Sequence, residues 1–145
     1  MYVDEPSLSN VFWPVRLNEE TPEKAKAVTL WLNSTLGLLS MLFFREETRG
    51  PWIGFKKPVL GKLPVLDPGA LAPDRLADLA RAFDRLSGKT LGPISSLGSD
   101  PVRVEIDDAV SAAAGLPSLA PLRTMLAREP LLSLASLHAK MISGV

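Results

Sequence analysis

Residues 27–44 read AVTLWLNSTLGLLSMLFF, eighteen positions without a charged side chain. Apolar residues recur in this stretch at the three- and four-residue spacing of a helix face, which predicts the central helix of the fold. Its apolar face is expected to comprise Val28, Leu32, Leu36, Leu39 and Phe43. Asn33 and Ser34 interrupt the pattern, and because such short polar side chains cap helices, we expect a break there.

The same stretch is just long enough to be tested as a membrane span. The polar residues Asn33, Ser34 and Thr35 lie in its middle, and hydrocarbon would leave their side chains without partners. A helix buried in a protein core is therefore the favoured interpretation.

Helix boundary signals surround this stretch. Upstream, Thr21 can cap a helix and Pro22 has the φ of a first-turn residue, while Glu23 suits the positive end of the helix dipole. Downstream, three further helices are predicted, from Pro73 to Gly88, from Asp100 to Gly115 and from about Leu119 to Arg128. In the last of these, the residues expected to face inward are Leu119, Leu122, Met125 and Leu126.

Two segments of the N-terminal half carry strand signals. Residues 11–17 look extended, but Pro14 cannot donate to a ladder and limits them to an edge strand or a strap. Residues 52–55 look like a short strand after the Gly50-Pro51 turn. The predicted fold class is therefore α+β and mainly helical, with about four to five helices and a small two- or three-stranded β element from the N-terminal half.

The predicted domain organisation has three parts. Residues 1–10 form an N-terminal arm, and residues 11–130 form a single compact module. This module is strand-rich to about residue 68 and helical afterwards. Residues 131–145 form an apolar tail with a helical pattern, which either docks on the module or joins a second copy.

Composition narrows the possible chemistry. Sixteen basic residues balance sixteen acidic ones, so no global field draws the chain to nucleic acid or to a membrane. The absence of cysteine excludes disulfides and thiolate metal sites and is typical of a reducing compartment. No basic segment followed by an apolar stretch stands at the start of the given sequence, so we expect no secretory signal. We expect a cytoplasmic protein that does not bind membranes.

No catalytic motif is found in the sequence. His138 is the one histidine, and no Gly-x-Ser-x-Gly nucleophile turn accompanies it. Gly88-Lys89-Thr90 resembles the end of a phosphate-binding loop, but Phe83 stands where the first glycine should be. The acidic residues of the third helix, Glu105, Asp107 and Asp108, are expected on a solvated helix face. We therefore predict a protein without enzyme activity, cofactor or metal.

Positive charge is concentrated in residues 45–62. Five basic residues stand against two acidic ones there, a net charge of +3, while residues 1–44 carry −2 and residues 63–145 carry −1. Basic residues interleaved with aromatic ones suit contact with nucleic acid. The candidate DNA-binding residues are Arg45, Arg49, Trp52, Lys56, Lys57 and Lys62. Ordinary solvated charge, and burial of Trp52 in the core, are the alternatives.

Three sequence blocks in order resemble a known family. They are WLNSTLG at residues 31–37, REETRGPW at residues 45–52, and KKPVL at residues 56–60 followed by LPVLD at residues 63–67. The chain from about Phe12 to Pro130 resembles the C-terminal region of large bacterial adenine-specific DNA methyltransferases of restriction-modification and phage-defence systems. The resemblance implies a role in target recognition on duplex DNA, or a structural brace for the recognition domain.

The family's catalytic motif, Asn/Asp-Pro-Pro-Tyr/Phe, is absent, as is its S-adenosylmethionine-binding loop. The resemblance therefore implies a non-catalytic C-terminal module that assists DNA binding beside a methyltransferase catalytic domain or subunit. Asn33 matches the family's Leu-Asn-Ser block, and a structural cap is its alternative role. The alternative function is a protein–protein or interdomain scaffold module without nucleic-acid contact, self-associating through residues 131–145.

Overall fold

The structure is a computed structural model that describes residues 16–47 and 53–129. The described residues are mainly helical and form six α-helices, joined by loops and two short 3-10 turns at Pro68–Ala70 and Ile94–Ser96. The helices are α1 (Pro22–Leu32), α2 (Thr35–Phe43), α3 (Lys57–Leu60), α4 (Pro73–Leu86), α5 (Pro101–Ala114) and α6 (Ala120–Leu126).

The prediction of an α+β fold with a small β element is wrong. Extended pairing in the described residues is confined to Glu46–Glu47, which lies antiparallel to Ile53–Gly54. Two residues on each side are too few for a sheet layer, and α3 begins at Lys57, only three positions after Gly54. The N-terminal half instead contributes α1 and α2 to a helical domain, and residues 11–15 of the predicted strap lie outside the described residues.

The predicted helix boundaries agree with local chemistry. The Thr21 side chain accepts a hydrogen bond from the Lys24 amide at the start of α1. Hydrogen bonds from its own backbone amide and from Thr21 lower the pKa of the Glu23 carboxyl at that helix end. At the other end of the fold, Asp100 caps α5 through the Val102 amide, and Gly115 ends the helix with a left-handed φ of 66°.

The main core lies where α4 packs between α1 and α5. Each of these helices buries one apolar face, and burial of such side chains is the main contribution to the stability of a domain of this kind. The buried members of this core are Ala27, Leu30, Trp31, Leu79, Ala82, Leu86, Val102, Ile106, Val110 and Ala113.

The long uncharged stretch is bent rather than straight. Helices α1 and α2 meet at Asn33 and Ser34 with a change of direction of 68°. The predicted break is therefore present. Within the described residues, no individual helix has both the length and the apolar character that crossing a membrane requires.

A second and smaller apolar cluster joins α2 to α6. Its buried members are Leu42, Leu97 and Leu126. The bend changes which side of α2 faces the protein, so Phe43 lies outside the core with 80% of its surface exposed, and its prediction as a core residue is wrong. Met125 was also predicted to face inward, but it is 59% exposed.

Candidate functional site

The corner between α1 and α2 is built from the residues of the Leu-Asn-Ser block. Asn33 is the C-cap of α1, and its side-chain amide donates to the Thr29 carbonyl at 2.9 Å. The Ser34 hydroxyl donates to the Trp31 carbonyl at 2.6 Å and accepts from the Gly37 amide at 3.3 Å. Ser34 is therefore the N-cap of α2, and this block forms a helix corner.

Asp107 of α5 is directed at the first turn of α2. The carboxylate is 1% exposed, and Oδ1 accepts the Thr35 amide at 2.8 Å. Its Oδ2 accepts both the Thr35 hydroxyl and the Arg123 guanidinium, each at 2.7 Å. A negative charge at this position satisfies an amide that has no partner inside α2 and is favoured by the helix dipole.

Arg103 lies one turn before Asp107 on the same face of α5. Its guanidinium donates to the Asn33 carbonyl at 3.3 Å and lies 3.7 Å from the Asp100 carboxylate. Asp100 in turn accepts the amides of Val102 and Gly92. The polar face of α5 thus holds both ends of the α1–α2 corner, because Arg103 binds the end of α1 and Asp107 binds the start of α2.

This buried polar cluster consists of Thr35, Arg103, Asp107 and Arg123, and it is shielded from solvent. All four side chains are buried, and the Asp107 carboxylate is already bound by three donors. In the described residues, three buried polar atoms have no hydrogen-bond partner, namely Nε of Arg103, Nε of Arg123 and Oγ of Ser111. A carboxylate sealed in this way is suited to fixing helices and not to meeting a substrate.

Sequence reasoning missed this cluster. Asp107 was predicted on a solvated face with Glu105 and Asp108, and for Asp107 that prediction is wrong. Asp108 is exposed and Glu105 is partly exposed, where it pairs with Lys89 at 2.7 Å. The sequence does contain a signal, since Arg103, Asp107 and Ser111 recur every four residues and therefore share one side of the helix.

Arg123 also explains the exposure of Met125. Helix α6 turns the side that carries Leu119, Arg123 and Leu126 toward the protein, because the guanidinium reaches Asp107. Met125 lies about a hundred degrees from Leu126 around the helix axis and is left in solvent. The prediction of an apolar inner face alone could not detect this rotation.

The basic residues of 45–62 do not form one described surface. Arg45 folds back and donates to the Leu42 carbonyl at 2.7 Å, which satisfies the C-terminal end of α2. Lys56 precedes α3 and Lys62 follows it, and both side chains are exposed. Lys57 begins α3. Arg49 and Trp52 lie outside the described residues.

Two open grooves lie beside α4. The groove against α5, of about 460 Å³, is lined by charged residues; among them Asp78 pairs with Arg81, and Arg75 donates to the Ala113 carbonyl. The groove against α1 and α5, of about 590 Å³, carries the Lys26–Asp84 ion pair at 2.7 Å. Across residues 16–47 and 53–129, no group of side chains is suited to hold a metal ion.

Two large apolar side chains, Phe43 of α2 and Met125 of α6, are exposed beside the small apolar cluster, and we call them the α2/α6 surface. Leu39 is half-buried and packs against that cluster. Phe43 follows Leu42 and Met125 precedes Leu126, the residues through which the two helices form the small cluster. Only three of the nine residues of α2 are buried, although none of the nine is charged. Phe43 packs edge-to-face with Phe44, at 5.1 Å between ring centres.

No protein-family model matches the chain, and no match is found among curated proteins or solved structures. The resemblance to DNA methyltransferases therefore stays a prediction from the three sequence blocks. The geometry gives the first block a structural role, because Asn33, Ser34 and Thr35 are all engaged in the helix corner.

Proposed function

We propose that this protein is a non-catalytic protein–protein or interdomain scaffold module, which binds a partner polypeptide through the α2/α6 surface. The observation that carries the proposal is Phe43, a large aromatic side chain 80% exposed at the end of an uncharged helix. Exposed aromatic residues beside a small apolar cluster are typical of the anchors that dominate binding energy in protein interfaces.

The charged groups support this assignment. In the described part of the chain, the buried carboxylates Asp100 and Asp107 bind helix termini and neighbouring arginines. Both carboxylates therefore have a structural role, and the proposed function includes neither a reaction nor a cofactor. We place the protein in the cytoplasm on the basis of its cysteine-free sequence.

Replacing Phe43 is expected to weaken partner binding without unfolding the domain. A photo-reactive phenylalanine analogue at position 43 should form a discrete adduct in cells, and the polypeptide in that adduct is then purified. Calorimetry should show that Phe43→Ser raises the Kd for this polypeptide about tenfold or more, since a buried aromatic anchor contributes on the order of 2 kcal/mol. The stability of the free variant should change little, because Phe43 is exposed.

Two controls define this experiment. The same analogue at the exposed position Glu20 should give no discrete adduct, and Lys62→Glu should leave the Kd unchanged. Equal Kd values for Phe43→Ser and the unmodified chain would count against the α2/α6 surface as the binding surface.

DNA binding is the second candidate function. It is favoured by the exposure of Lys56 and Lys62 on either side of α3, in a segment with a net charge of +3. The resemblance to methyltransferases adds the expectation that the chain assists target recognition beside a catalytic domain or subunit. In this function the lysines contact phosphates, and such contacts depend strongly on salt.

If the chain binds duplex DNA, Lys56→Glu combined with Lys62→Glu should lower the affinity by on the order of tenfold at low salt and reduce the salt dependence by about two charges. Fluorescence anisotropy with a labelled duplex at two salt concentrations measures both quantities. Arg85→Glu combined with Arg128→Glu, an equal charge change at two exposed positions, serves as the control. Absence of binding at low salt, or equal losses in the test and control variants, would remove this candidate.

A further inference from the structure

We propose that the exposed side of α4 is a self-association surface, on which a second copy of this chain binds through its own α4 in the antiparallel direction. The inference goes beyond the proposed function, because it assigns a second copy to a different helix from α2 and α6. The observation that carries it is the order of the charged residues along α4.

Four charged residues form one stripe along α4. All four are exposed, and they follow each other at intervals of four, three and four positions: Asp74, Asp78, Arg81 and Arg85. At about 100° per residue, their directions around the helix axis fall within about 60° of one another. Leu79 and Leu86, which belong to the main core, lie on the other side of the helix. The stripe is therefore the solvent-facing side of α4.

Like charges are adjacent on this stripe. Asp74 and Asp78 are one turn apart, as are Arg81 and Arg85, and like charges at this spacing destabilise a helix. The helix dipole favours an acidic first turn and a basic last turn, but its effect does not reach the two central charges. Asp78 pairs with Arg81, whereas no ion pair of Asp74 or Arg85 is present among the described residues.

Antiparallel packing of two copies gives every charge of the stripe a partner of opposite sign. When the two helices cross at the middle of α4, Asp74 faces Arg85 of the second copy, and Asp78 faces Arg81 of the second copy. Each of these pairs occurs twice because of the two-fold symmetry, which gives four pairs. A parallel arrangement in register would place like charges opposite each other. The order of the charges thus favours a self-complementary contact of the kind found in two-fold dimers.

The structure leaves space for long side chains beside the stripe. The groove of about 460 Å³ between α4 and α5 runs along it, and the groove is floored by the small side chains of Ala82, Ala109, Ala112 and Ala113. Arginine stems can lie along such apolar surface while the guanidinium reaches a carboxylate.

The contact is small. From Asp74 to Arg85 the stripe is about 17 Å long, and one helix face of this length buries less area than the interface of a stable dimer. Ion pairs between exposed side chains are individually weak and are screened by salt. We therefore expect a weak dimer that depends on ionic strength.

Sedimentation equilibrium of the full chain at two salt concentrations is the first test. The Debye length is about 30 Å at 0.01 M salt and about 3 Å at 1 M salt. We expect a monomer–dimer equilibrium at the low salt concentration, with a Kd that rises about tenfold or more at the high one. A chain that stays monomeric at low salt up to a concentration of about 1 mM would overturn the inference.

Two charge-reversed chains test the pairing itself. Asp74→Arg with Asp78→Arg makes the stripe positive throughout, and Arg81→Asp with Arg85→Asp makes it negative throughout. Each chain alone should have a Kd about tenfold higher or more, because like charges then face each other. An equimolar mixture of the two should form a heterodimer with a Kd close to that of the unmodified chain. Unfolded chains could not give this rescue, so the mixture separates loss of the contact from loss of the fold.

A chain that carries all four substitutions keeps the net charge and inverts the stripe. It should form a homodimer again, because opposite charges again face each other in the antiparallel pair. The control for net charge is Glu19→Arg with Glu20→Arg, at two exposed positions before α1, which should raise the Kd far less than Asp74→Arg with Asp78→Arg. Equal increases in these two chains, or a mixture of the reversed chains that stays monomeric, would show that α4 is not the contact.

Discussion

Gly37→Ala is expected to lower the free energy of unfolding by on the order of 3 kcal/mol, because the fold leaves no space for a side chain at this position. A Cβ atom on Gly37 would overlap the Trp31 carbonyl oxygen and lie 2.7 Å from Leu32 Cα. Both obstacles are backbone atoms of α1, so no side-chain rotation relieves the overlap. Relief requires opening the α1–α2 bend, which disturbs the hydrogen bonds of Ser34.

Urea unfolding followed by circular dichroism measures this loss, and Gly88→Ala is the matched control. Nothing lies within 4 Å of a Cβ placed on Gly88, which follows the end of α4. The control should stay within about 0.5 kcal/mol of the unmodified chain. Similar free energies of unfolding for the two alanine variants would mean that the α1–α2 corner tolerates a wider angle than the structure shows.

Asp107→Asn is expected to cost about 3–5 kcal/mol of stability, since it leaves the Arg123 charge buried without its counter-ion. The substitution keeps the size of the side chain, so cavity formation does not contribute. The adjacent Asp108→Asn provides the control, because Asp108 is exposed. Urea unfolding measures both variants, and a loss for Asp107→Asn no larger than for Asp108→Asn would contradict the role assigned to the buried carboxylate.

A double-mutant cycle separates the ion pair from the rest of the cluster. Arg123→Met removes the buried charge and keeps an apolar side chain of similar length. If Asp107 and Arg123 act together, the double variant should lose less stability than the two single losses added, with a coupling of about 0.5–3 kcal/mol. Additive losses would mean that Thr35 alone accounts for the contribution of Asp107.

Local signals predicted the helices well. The caps at Thr21 and Asp100 and the left-handed Gly115 depend on neighbouring residues, so the sequence alone indicates where α1 begins and where α5 begins and ends. The break at Asn33 and Ser34 was predicted for the same reason. The prediction of a β element is wrong because a strand depends on a partner elsewhere in the chain, and the pairing of Ile53–Gly54 extends over only two residues.

Which face of each helix is buried was harder to predict than where the helix begins and ends. The exposure of Phe43 follows from the angle of the bend, and that of Met125 follows from the contact between Arg123 and Asp107. Both depend on residues that are distant in sequence, and Asp107 lies 72 positions from Thr35. The charge pattern identified the basic segment, but it could not indicate that Arg45 donates to the C-terminal end of α2, the helix that precedes it.

The 72-position separation between Thr35 and Asp107 has a consequence for synthesis on the ribosome. At about 5–20 residues per second, roughly 4–14 s pass between the translation of the α2 start and that of the carboxylate that binds it. Through this interval the nascent chain carries its eighteen-residue uncharged stretch without the contact that holds α2 in place. Factors that bind apolar segments as they emerge from the exit tunnel thus meet this stretch before α5 does.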